Sequence, residues 1–169
     1  YKDLQLAFFP AYPFLMKFVS YFFGSSLVAN VWSGIIVSNL LFLLSLVLLW
    51  KVVRLDFSEK IAKIVTILTL IFPTSFYFGA VYTESLFLFS SLLTYYLYRK
   101  NMYLLSGLVG ILMTLTRLYG VFILVMIITD IFKNKKGLSQ IFKEKIYLVF
   151  LSISGILSFM WFSFINKGD

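Results

Sequence analysis

The chain's strongest constraint is its run from Val31 to Val53. It is apolar except for Ser33, Ser38, Asn39, Ser45 and Lys51. About 23 residues of helix suffice to cross a hydrocarbon core of ~30 Å. Trp32 and Trp50 stand near its two ends, as an interfacial aromatic belt does. A water-soluble fold has no place for such a run together with the others that follow it.

Ile61 to Tyr98 is too long for one span and suits two helices of about 19 residues each. Their turn is expected between Pro73 and Thr83, where Pro73 ends the first limb and Gly79 loosens the backbone. Ser58 is a candidate cap for the first of them. Met102 to Phe132 is long for one span and short for two. The mean hydropathy of +0.95 and the 61% hydrophobic content fit a chain built mostly of such segments.

Charge decides the topology. Arg54–Lys60, Arg99–Lys100 and the loop Lys133–Lys145 belong on one side, the cytoplasm, only if an even number of crossings separates them. Met102–Leu115 and Val121–Ile131 therefore read as two short limbs around a turn at Thr116–Gly120, and Ile146–Phe164 as the last span. This places roughly 11 of the 15 basic residues inside and leaves Lys2, Lys17, Arg117 and Lys167 outside. A limb of about 14 residues rises only about 21 Å, so the Arg117 turn stops short of the far surface and should floor an outward-facing, water-filled cavity.

Residues 1–29 read as an outward interfacial segment, in which Pro10 and Pro13 preclude a regular helix and Phe14–Phe23 forms a short one. Residues 30–165 form the bundle. The expected fold is all-α, a polytopic transmembrane bundle of about six spans in one membrane domain, residues 1–169, cut from a longer chain at both ends. No internal repeat is visible.

The chain has no Cys and no His. Disulfides, thiol nucleophiles, Cys/His metal sites and imidazole chemistry are excluded together. The net charge of +8 sits mostly in short loops between apolar runs, where the positive-inside rule explains it better than nucleic acid does.

Glu84 and Arg117 are the two charges enclosed by apolar sequence. Such residues are functional candidates by default, against the plainer reading that each sits at a helix end and snorkels outward, or that the two pair structurally. An Arg fork suits phosphate oxygens, and Thr116, Tyr119 and Gly120 beside it offer a hydroxyl, a ring and a permissive turn. Ala7–Pro13 is either an interfacial turn or a rigid aromatic wall for a lipid or sugar. Asp3 is the carboxylate nearest to it.

Three stretches, AFFPAYP at Ala7–Pro13, FPTSFYFGAVYTESLF at Phe72–Phe87 and LTRLYG at Leu115–Gly120, resemble in order and spacing the prokaryotic relatives of GPI mannosyltransferase II, the PIG-V-type proteins. The middle stretch is the most specific, whereas the Arg motif recurs in several families. The resemblance implies a GT-C membrane glycosyltransferase with short helical hairpins around an outward-facing active site. It implies transfer of a sugar, mannose expected, from a polyprenyl- or dolichyl-phosphate donor to a lipid or glycan acceptor hydroxyl, with no metal, no cofactor and no nucleic-acid partner. It implies a multi-pass location, in the cell membrane of a prokaryote or the endoplasmic reticulum of a eukaryote. The substrate- and phosphate-binding candidates are Arg117, Glu84, Tyr82, Thr83, Tyr119, Phe9, Pro10 and Tyr12. In that family a catalytic Asp lies in an aromatic-Asp motif upstream of the FFPAYP-like stretch. No such motif is present here, so the catalytic base is expected upstream of Tyr1. Asp3 is a weak substitute, and the chain alone is expected to be inactive. Leu118 also departs from the Pro or Ser that relatives often carry. A transporter or flippase and a non-catalytic membrane subunit are the competing readings.

Overall fold

The computed structural model describes residues 9–24, 26–122, 125, 129 and 138–167. Seven α-helices are set out among them: α1 (Ala11–Tyr21), α2 (Leu27–Val53), α3 (Glu59–Ile71), α4 (Phe76–Gly79), α5 (Glu84–Arg99), α6 (Tyr103–Thr114) and α7 (Leu138–Lys167). The described fold is all-α, as the sequence indicates. Among the described residues, α2 alone is long and apolar enough to cross a membrane; α3 and α4 pass the same test only as a pair bent by 66°.

Local chemistry accounts for the helix limits. The Ser26 hydroxyl accepts from Ala29 N at 3.1 Å and starts α2. Ser58 stands at the N-cap of α3, as expected, but its side chain makes no capping bond. Phe72, extended ahead of Pro73, stops α3, and a 3₁₀ turn at Pro73–Ser75 leads into α4. Between α5 and α6, Asn101 takes the left-handed conformation at φ 61° and lets the chain reverse.

One expectation for the N-terminal segment is corrected. Pro10 and Pro13 do not prevent a helix: α1 starts at Ala11, with Pro10 as its N-cap and Pro13 in its first turn. Neither position needs an N–H for an intrahelical bond, so proline costs nothing there. The helix packs one face on the bundle and leaves Phe14, Phe18 and Tyr21 exposed: its Tyr12 and Ser20 are buried, and the Ser33 hydroxyl donates to Met16 O at 3.0 Å, which fastens α1 along the first half of α2. At the other end of the chain, residues 138–145 are helical and belong to α7 rather than to a loop. The expected limb Val121–Ile131 falls mostly outside the described residues. Its first two residues continue a 3₁₀ turn, Leu118–Phe122.

The two loops assigned to one side by charge do meet. Arg99 Nη1 and Nη2 donate to the two carboxylate oxygens of Asp56, both at 2.7 Å, and so clamp the α5–α6 turn to the α2–α3 turn. Arg54 pairs with Glu59 at 2.8 Å and lies over the Trp50 ring. From this basic end, α5 rises about 23 Å to Glu84, at 1.5 Å per residue.

Beside an apolar cluster of Tyr12, Val37 and Leu86, the helices bury many small hydroxylated residues. Ser33, Ser38 and Ser45 of α2, Ser85, Ser90 and Thr94 of α5, and Ser106 of α6 are fully enclosed. The Ser106 hydroxyl donates to Thr94 O at 2.8 Å, and Ser90 and Ser45 satisfy theirs on their own helices. Leu40, Leu43, Leu44 and Val47 of α2 face outward, as do Ile64, Ile67, Leu68 and Leu70 of α3.

Candidate functional site

The site begins with a turn that hangs from α2. Asn39 Nδ2 donates to Gly79 O at 3.1 Å, and the Phe42 and Phe78 rings stack with centroids 5.0 Å apart. Val81 packs so closely on Gly34 that a Cβ there would come within 2.7 Å of it. The segment Pro73–Thr83 is thereby fixed beside the middle of α2, well short of its N-terminal tip. Glu84 then opens α5.

The Arg117 turn reaches the same level from α6. After Thr114 the backbone tightens: Thr116 N and Arg117 N both donate to Met113 O at 3.2 Å, and Gly120 N donates to Arg117 O at 3.0 Å. Glycine is required at 120, where a Cβ would stand 2.7 Å from Thr114 Cα. Helix α7 supports this turn from behind. The Thr114 hydroxyl donates to Ser152 O at 2.9 Å, and Gly155 lets α7 approach until a Cβ there would overlap Thr114 Oγ1.

Arg117 and Glu84 form an ion pair through Nη2 and Oε1. Arg117 Nε donates to the Thr83 hydroxyl at 3.0 Å. The guanidinium is therefore held along its Nε/Nη2 edge by consecutive residues of another segment, with its side chain 34% exposed. Glu84 Oε2 and Ser85 Oγ are buried with no hydrogen-bond partner among the described residues. The two charges pair directly, an arrangement compatible with a functional role and with a plain helix-end position alike, since Glu84 opens α5 and Arg117 follows α6.

The N-terminal motif closes the third side. Ala11 N donates to Leu115 O at 3.2 Å, which joins the start of α1 to the Arg117 turn. Three segments far apart in sequence, the start of α1, the turn before α5 and the turn after α6, thereby meet. Several of the binding candidates serve other contacts. Tyr12 is buried, bonded to Ser38 Oγ at 2.6 Å and to Gly34 O at 3.2 Å, so it ties α1 to α2. The Phe9 ring stacks on Phe159 of α7 at 4.6 Å, and Pro10 caps α1. The Thr116 hydroxyl is enclosed and donates to Leu112 O at 2.7 Å, so it offers nothing to a ligand. Tyr82 and Tyr119 are exposed, each two residues in sequence from Glu84 or Arg117. Tyr1, Asp3 and Phe8 lie outside the described residues. The expectation of a base ahead of Tyr1, with Asp3 as its weak substitute, therefore lies outside them too. No group of three or more potential metal ligands occurs among the described residues.

Three residues of this neighbourhood are not singled out by sequence reasoning. Asn39 is visible as a lone amide in an apolar helix, a pattern that calls for an interhelical partner. Ser38 carries the same signal. Tyr77, exposed and 6.0 Å from the Tyr82 ring, gives none beyond its place in the turn.

An open trough between Leu157 and Phe164 is lined by consecutive residues of α7 alone. Such residues point all round one helix, and no second element encloses a ligand there. Compared with known proteins, the chain matches no family model, no curated protein and no solved structure.

Proposed function

We propose that the chain is part of a multi-pass membrane glycosyltransferase that moves a sugar, mannose in the first instance, from a polyprenyl- or dolichyl-phosphate donor to an acceptor hydroxyl on the outward face. The observation that carries the reading is Arg117: a guanidinium about 23 Å from the basic end of the bundle, held by Thr83 and Glu84 and still a third exposed. A charge at such depth is costly unless it is paired or used. Its remaining donors suit phosphate oxygens, whose charge grows as the sugar leaves. In the reaction the acceptor oxygen bonds to the anomeric carbon, the bond from that carbon to the phosphate oxygen breaks, and the lipid phosphate departs with the electron pair. The hydroxyl proton goes to a carboxylate base. Glu84 is engaged with Arg117 and is not cast in that role.

The polytopic bundle of about six spans rests on the many large apolar side chains left outside and the many small hydroxylated residues at helix contacts, a pattern that helices packed in lipid favour. A soluble domain with so many exposed large hydrophobic residues would carry one continuous adhesive surface. Exposed charges gather at the Asp56–Arg99 end, as a cytoplasmic boundary would have them.

A carrier reading has one observation of its own, the bent α3–α4 pair, since broken helices also line transport sites. The full-length protein of which the chain is proposed to be part, in proteoliposomes and given radiolabelled polyprenyl-phosphate-mannose and a glycan or lipid acceptor, separates the two. Transfer of label to the acceptor, with release of polyprenyl phosphate, is expected. Movement of intact donor across the bilayer without transfer would favour the carrier, and neither event would overturn both.

A further inference from the structure

We infer that Tyr77 and Tyr82 form a carbohydrate subsite next to Arg117, with Tyr77 setting preference for the sugar on the phosphate. The inference rests on the phosphate reading of Arg117 and adds to it which group the donor presents to the deeper wall.

The argument starts from where tyrosines sit. At the basic end, the Tyr95 hydroxyl accepts from Arg99 at 2.8 Å, Tyr96 lies beneath Lys100, and Tyr98 and Tyr103 pack ring to ring. Tyr21 closes α1 at the far tip, and Tyr12 is bonded inside the bundle. Those six occupy a boundary or a satisfied interior. Tyr77 does not: it is exposed in α4, deeper than Tyr82, whose exposed ring stands 6.0 Å away in the segment that leads to Glu84.

Depth makes this informative. Helix α4 lies beside Asn39 and Phe42, about 17–21 Å above the end of α2 at Val53. Neither Tyr77 nor Tyr82 has a hydrogen-bond partner for its hydroxyl among the described residues. A phenol facing hydrocarbon at that depth would leave a donor unmet, at a cost in free energy. Phenylalanine would avoid it, and does at the neighbouring outward positions Phe72 and Phe76. Tyrosine at 77 fits a wall that meets water and a polar ligand, with Tyr82 nearer its mouth, after Val81 on Gly34.

The geometry suits a sugar. The two rings stand 6.0 Å apart and 55° tilted, with Phe76 against Tyr77 at 4.1 Å. Asn39 and Phe42 fix the short α4 behind them, so the rings are presented on a held backbone. A pyranose offers a C–H face for an aromatic ring and hydroxyls for phenols, and Thr83 and Glu84, directly after Tyr82, hold the guanidinium that takes the phosphate.

The test measures binding to the full chain in nanodiscs with two probes, polyprenyl-phosphate-mannose and sugar-free polyprenyl phosphate. Tyr77→Leu is expected to weaken the mannose-bearing probe about tenfold and to leave the sugar-free one within about twofold, a loss of roughly 1.4 kcal/mol confined to the sugar. Tyr77→Phe, which keeps the ring, is expected to stay within about threefold for both. Equal loss of both probes in Tyr77→Leu, or no loss of either, would overturn the subsite. So would Tyr77→Phe falling as far as Tyr77→Leu, because stacking would then not be the basis. Arg117→Ala reports on the underlying reading separately: it should abolish binding of both probes, and retained binding of the sugar-free lipid would remove the phosphate site whatever Tyr77 does.

Discussion

The Thr83 hydroxyl accepts a 3.0 Å hydrogen bond from Arg117 Nε, although Thr83 stands at the N-cap of α5 and makes no capping bond to that helix. A threonine at this position ordinarily accepts from the second or third amide of its helix, a bond whose loss costs about 1 kcal/mol. Here the hydroxyl is diverted to orient a guanidinium. Glu84 in the first turn still complements the helix dipole, and it reaches the same guanidinium.

Arg117→Lys is expected to lower sugar transfer by the full-length protein about 100-fold. An ammonium retains the charge but cannot reach Thr83 and Glu84 from one planar fork while facing a phosphate. Initial rates with radiolabelled polyprenyl-phosphate-mannose check this. Near-normal transfer by both Arg117→Lys and Arg117→Ala would remove Arg117 from the chemistry.

The Glu84–Arg117 pair should also show in stability. With side chains 27% and 34% exposed, its coupling belongs between that of a surface pair and that of a buried one, about 1–2 kcal/mol. Glu84→Gln and Arg117→Met are each expected to lower the thermal midpoint in detergent, and the double variant to fall less than the sum of the two. Strict additivity in that cycle would mean that the contact contributes nothing.

Gly155→Ala is expected to destabilise the bundle by about 1–3 kcal/mol, since the added methyl runs into Thr114 Oγ1 and stands 2.9 Å from Ile111 O. Transfer should fall with it, because Thr114 supports the Arg117 turn. Thermal unfolding of the purified full chain measures the first effect. An unchanged midpoint would show that α6 and α7 do not pack as closely as described.

The chain has no cysteine, so single introduced cysteines report sidedness without background. Tyr21→Cys and Tyr119→Cys should react with an impermeant maleimide added outside, and Phe57→Cys and Asn101→Cys should not. Tyr119 is preferred to Gly120 because no side chain fits at 120. Labelling of Phe57→Cys from outside, with Tyr21→Cys protected, would reverse the topology.

Much of this arrangement is legible in the residues alone. Apolar length locates α2, and Pro73 and Gly79 mark the broken segment between α3 and α5. The even-crossing argument brings the Asp56 and Arg99 loops together, and two isolated charges foretell each other. Other features escape for physical reasons. Proline excludes helix only where an N–H is needed, and the sequence does not say which residue will be the N-cap, so α1 is missed at its start. Whether a hydroxyl faces a ligand or its own helix is a rotamer choice, and that choice removes Thr116 from the site. Tyr12 and Phe9 read as a wall because aromatic residues at a proline turn suit one, yet tertiary packing uses them as ties to Ser38 and Phe159.

The Asn39–Gly79 bond has a mechanical consequence. Asn39 lies twelve residues from the start of α2 and fourteen from its end, close to the midpoint of a rod about 40 Å long. When a membrane thickens or thins, a long helix accommodates by tilting. Tilt about the midpoint sweeps the two ends through wide arcs and scarcely displaces the fulcrum. The turn that presents Tyr77, Thr83 and Glu84 is hung near that fulcrum, so it stays in register with Arg117 while the bilayer around the protein changes depth.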